Sequence, residues 1–61
     1  MTYAKGDMVV FKFSKSLKET FNGIIVSRWR RNRTFIYEIS SMNHGMSSFT
    51  IGQECILKKI S

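Results

Sequence analysis

Apolar residues along this chain fall in short bursts separated by glycine, asparagine and serine. Most of the bursts alternate with a period of two. That is the period of an extended backbone, whose successive side chains point to opposite faces. In "DMVVFKF", residues 7 to 13, Val9, Phe11 and Phe13 share one face and Met8, Val10 and Lys12 the other, with Gly6 and Asp7 as the turn that opens the strand. The second burst, "TFNGIIVSRW", spans 20 to 29 and holds Gly23, a position that predicts a bulge or a sharp bend. The third, "TFIYEIS" at 34 to 40, places Phe35, Tyr37 and Ile39 together, opposite Ile36 and Glu38.

Between the second and third bursts, "RRNR" reads as a hairpin turn, with Asn32 the residue best suited to positive φ. A polar loop, "SMNHG", precedes a fourth strand near "MSSFTI", residues 46 to 51. "GQEC" then makes one tight turn, and "ILKKI" at 56 to 60 closes the chain as a fifth strand. The segment "SKSLKETF" carries competing signals. Ser16 and Glu19 have the spacing of a capping box, and Leu17 and Phe21 stand at i and i+4. So short a helix is marginal alone, which favours a long excursion between the first two strands. The alternation predicts a core of Val9, Phe11, Ile25, Tyr37, Ile39 and Ile56.

Five short strands, a Gly-Asp opening, a long first loop, a bent second strand and a helical turn before the last strand resemble the SH3-like barrels. More narrowly, "KGDMVVFKF", "NGIIV", "FIYEI" and "TIGQECILKKI" resemble the compact KOW and Tudor-like kind, found among small bacterial and phage proteins. The marks are Gly6, Asp7, Val9 and Phe11, then Gly23 with Ile25, Tyr37 with Ile39, and Ile51 with Ile56. The resemblance implies an all-β fold, a small five-stranded SH3-like barrel with a short helical turn before the last strand. These are folding marks and bring no functional site with them. A methyl-lysine cage needs converging aromatics that the alternation here sends inward. A proline-rich-peptide groove needs acidic loops and a second tryptophan, and a cold-shock stacking motif is absent.

Composition bounds the rest. The 61 residues contain no proline, no low-complexity tract and no repeat, so the chain reads as one domain, 1 to 61. A chain this short buries about 60% of its unfolded surface and draws only a few kcal/mol from its core, which leaves a homodimer open. Its single cysteine, Cys55, excludes an internal disulfide, and no zinc-type spacing is present. No apolar run is long enough to span a membrane, no signal-like segment opens the chain, and the reading is a cytoplasmic protein.

Lysine and arginine number 10 against 4 acids, for a net charge of +6, and polyanions are the obvious partners. Every arginine lies in "SRWRRNRTF", residues 27 to 35, around the only tryptophan. On an extended strand Arg28 and Arg30 share one face and Trp29 and Arg31 the other. Trp29 then either caps the end of the core or stacks on a base, a contact worth roughly 1–3 kcal/mol. Lys12, Lys15 and Lys18 form a second basic group and Lys58 with Lys59 a third, and the groups merge into one stripe if the fold brings them together.

Arg28, Trp29, Arg30, Arg31, Arg33, Lys12 and Lys58 are therefore the candidate nucleic-acid-binding residues, for DNA or RNA. The competing reading docks the same hairpin on an acidic protein surface, since arginine grips carboxylate as well as phosphate. Catalysis, a metal and a cofactor are not indicated. His44 reads as a surface loop residue, Cys55 as a small buried hydrophobe, and the acids are dispersed.

Overall fold

The computed structural model describes residues 2–60, so the terminal residues of the expected domain lie outside the described part. The fold is all-β. Five strands, β1 (Met8–Phe11), β2 (Phe21–Arg31), β3 (Thr34–Ser41), β4 (Ser48–Gly52) and β5 (Ile56–Lys59), form one antiparallel sheet in the order β4-β3-β2-β1-β5. A 3-10 turn over Gln53–Cys55 precedes β5, as expected. The sheet does not close into a barrel, which corrects one part of the expected architecture: β5 turns back onto β1, and β4 and β5 are left as its two edges.

Strand limits also shift. β1 ends at Phe11, because Lys12 leaves the ladder and donates its N–H to the Cys55 carbonyl at 2.8 Å. β4 starts at Ser48, because Gly45 and Met46 both take positive φ, 61° and 66°. The segment 14–20 contains no helix and runs as an excursion. Leu17, the residue whose burial would have justified a helix, is 51% exposed.

The six residues expected in the core are all buried, and Tyr3, Ile51 and Cys55 join them. Tyr3 lies in a segment with no strand pattern, so nothing local marked it. Its ring meets Tyr37 edge-on, centroids 5.7 Å apart, and its N–H donates to the Tyr37 hydroxyl at 3.0 Å. A buried phenol needs such a partner. Gly23 lies where β1, β2 and β3 meet. A methyl there would strike the Ile39 Cγ2 and come within 2.9 Å of the Ser40 carbonyl, so the bend is held by a missing side chain.

The Gly6–Asp7 turn locks onto β2. Gly6 N–H donates to the Ile25 carbonyl at 2.8 Å, and Ile25 N–H donates to Asp7 at 2.9 Å. Gly6 has φ 94°, which a residue without Cβ adopts freely. His44 is exposed as expected, but it is not solitary. Its ring is edge-on to Phe21 at 4.8 Å and lies within 5.5 Å of Phe13 and Phe49, and its Nδ1 is 2.7 Å from the Ser41 hydroxyl. The three phenylalanines of this cluster are partly buried and pack against the core.

Candidate nucleic-acid interface

The β2–β3 hairpin carries the candidate residues. β2 extends to Arg31, further than expected, and Arg31 pairs with Thr34 across a turn made by Asn32 and Arg33. Asn32 has φ 58°, the left-handed conformation foreseen for it.

Which way each side chain faces is decided lower down. Ile25 pairs with Ile39 and Ser27 with Glu38, so Val26 is an extra residue in β2 with no opposite number, a β-bulge. Unbroken alternation from buried Ile25 would turn Ser27, Trp29 and Arg31 toward the core. The bulge reverses the phase. Beyond it Arg28 and Arg30 share the face of Tyr37 and Phe35, while Ser27, Trp29 and Arg31 share the outer face with Glu38, Ile36 and Thr34. Trp29 is 43% exposed there, beside half-buried Ile36. The sequence left its burial open, and the bulge settles it.

The arginines divide by role. Arg28 donates from Nη1 to the Tyr3 carbonyl at 2.9 Å, and its guanidinium carbon lies 4.9 Å from the Phe35 ring centre. It fastens the N-terminal segment over the end of the core. Arg30, Arg31 and Arg33 are exposed, and none has a hydrogen-bond or ion-pair partner among the described residues. On Trp29's face Glu38, opposite Ser27, accepts the Ser27 hydroxyl at 3.2 Å.

The lysines stand apart from the hairpin. Phe11 pairs with Phe21, so Lys12 lies beside the start of β2, and Arg31 lies at its end. Lys58 pairs with Val10 on β5. Along β2, then, Lys12 and Lys58 on one side and the arginine tip on the other occupy opposite ends, and the ladder supplies no continuous stripe between them. Lys59 is engaged with Asp7 at 3.5 Å.

Two groups among the described residues have shifted acidities. The Ala4 N–H donates to the Asp7 carboxylate at 2.9 Å and, with Lys59 adding attraction, holds that carboxyl below its ordinary value. Burial, with the charge of Glu54 beside it, pushes the Cys55 thiol up, so it stays protonated at neutral pH. Among the described residues, no three His, Cys, Asp or Glu side chains converge, and no helix is long and apolar enough to cross a membrane. No family model matches this chain, and neither a curated protein nor a solved structure shows significant similarity to it.

Proposed function

We propose that this chain is a small nonenzymatic nucleic-acid-binding module that grips phosphates with Arg30, Arg31 and Arg33 and stacks a base on Trp29. The observation that carries the reading is the exposure of Trp29 beside Arg31, at the tip of a hairpin whose other two free arginines have no internal partner. A tryptophan spent on packing would be buried, and arginines kept for solubility alone need not flank an exposed ring. Stacking beside guanidinium contacts is how single strands are held without sequence preference. Lys12 and Lys58 are secondary contacts in this reading, and Arg28 is a support for the hairpin. A cytoplasmic location and kinship with small SH3-like bacterial or phage proteins belong to the same proposal, and both rest on the sequence marks.

Binding of labelled single-stranded oligonucleotides across a salt series tests it. Each phosphate contact contributes a slope of about −0.7 to −0.9 in log affinity against log salt. Arg30→Ala with Arg31→Ala should reduce the slope by one to two such units, and Trp29→Ala should weaken binding about tenfold or more with the slope kept. A folded double-arginine variant that binds as tightly and as salt-sensitively as the parent refutes the reading.

The alternative, docking on an acidic protein, is favoured by one feature: Val26, the bulge residue, is 36% exposed, which adds apolar area to the same strand as Trp29. A pull-down from lysate with and without nuclease separates the two, since only nucleic-acid-mediated capture is lost on digestion.

A further inference from the structure

The two edges of the sheet are finished differently. Edge strands carry unpaired backbone groups that invite another strand, and proteins blunt them with charge, especially lysine. β5 presents Lys58 and Lys59. β4, with the residues leading into it, reads "MSSFTIG" over 46 to 52, with no charge and no proline. The ladder identifies which β4 groups are unpaired. Ser41 N–H donates to the Ser47 carbonyl at 2.8 Å, which makes that pair a hydrogen-bonded one. Pairing then alternates, so Phe49 and Ile51 spend their backbone groups on Ile39 and Tyr37. Ser48, Thr50 and Gly52 aim theirs away from β3. The Gln53 side chain keeps the same rhythm, accepting the Phe35 N–H at 3.3 Å where β4 has ended.

We propose that β4 pairs antiparallel with β4 of a second copy of this chain, making a continuous sheet across a two-fold axis at Thr50. Thr50 then faces its own counterpart in a hydrogen-bonded pair, and Ser48 faces the partner's Gly52. Such an interface is self-complementary, as two-fold symmetry requires. The seam itself places no charged strand residue against its counterpart. The chain carries +6, yet its joining strand is neutral. The Gly52 end of β4 lies toward the arginine tip, because Gly52 pairs with Ile36 while Ser48 pairs with Ser40. Antiparallel joining therefore sends the two arginine tips to opposite ends of the shared strand pair. The outer faces bearing Trp29 fall on the same side of the joined sheet. This inference stands independently of the nucleic-acid reading.

The contact is short, so the dimer is weak. Sedimentation equilibrium on the full chain from about 5 to 500 μM should show monomer passing to dimer. Thr50→Pro removes an outward N–H that the fold does not use, and Thr50→Lys sets like charges across the axis. Each should weaken the dimer about tenfold or more with an unchanged circular dichroism spectrum. In the parent, the amide resonances of Ser48, Thr50 and Gly52 should shift with concentration, a measurement that needs no variant. A parent monomeric throughout that range, concentration-independent amides at these positions, or folded Thr50 variants that dimerise like the parent would each overturn the proposal.

Discussion

Arg28 reaches back 25 positions to hydrogen-bond the carbonyl of Tyr3 at 2.9 Å, and this bond ties the N-terminal segment to the hairpin. It also leaves three of the four arginines without a hydrogen-bond or ion-pair partner among the described residues. Arg28→Ala should therefore destabilise by about 1.5–3 kcal/mol, the range for a hydrogen bond from a charged donor. Arg31→Ala, which touches nothing internal, should stay within about 0.5 kcal/mol of the parent. Urea midpoints for the two variants check the difference.

Gly23→Ala should be among the most damaging single-atom additions to this chain. The new methyl meets the Ile39 side chain and the Ser40 carbonyl, and the carbonyl is backbone that cannot step aside. Overpacking of this kind costs about 1–3 kcal/mol, a large share of what so small a core supplies. Thermal unfolding should show a loss of cooperativity or a markedly lower Tm.

Asp7 makes stability depend on acid. Its folded carboxyl lies below the ordinary value because the Ala4 N–H and Lys59 favour the charged form. The stabilisation is thus present above the ordinary carboxylate range and is lost as pH falls through the folded pKa. At pH 7 the parent should be more stable than Asp7→Asn. At a pH below the folded pKa, where both side chains are neutral, the gap should close. Urea midpoints at the two pH values measure it.

Cys55 should react slowly with thiol reagents. It is buried, and burial raises its pKa, so little thiolate exists at neutral pH. Labelling by a disulfide reagent should be at least about tenfold slower in the native protein than in urea. Fast native labelling would show that the turn before β5 opens readily.

Much of the fold was legible because alternation is a local property. Val9 with Phe11, and Tyr37 with Ile39, announce a buried face two residues at a time, and Asn32 announces the turn that needs its φ. The same is true of the helical turn before β5. The excursion at 14–20 followed from length, since so short a helix is marginal alone.

Strand pairing decided the remainder, and pairing is not written in any one segment. The length of the apolar bursts does not say whether a five-stranded meander closes, and here β4 and β5 end as separate edges. Tyr3 has no patterned neighbours and is buried only because Tyr37 and Arg28, distant in sequence, supply a ring and a donor. His44 has one local partner, the Ser41 hydroxyl, and gains three phenylalanines from three parts of the chain.

The candidate site turns on the same point. By itself the sequence determined that the arginines surround Trp29, that they fall at a hairpin tip, and that Trp29 and Arg31 share a face. Only the pairing of β2 with β3 decided which face that is. Val26 has no partner on β3, and one unpaired residue shifts a period of two by half a cycle. That shift turns Trp29 to the outside and Arg28 over Phe35.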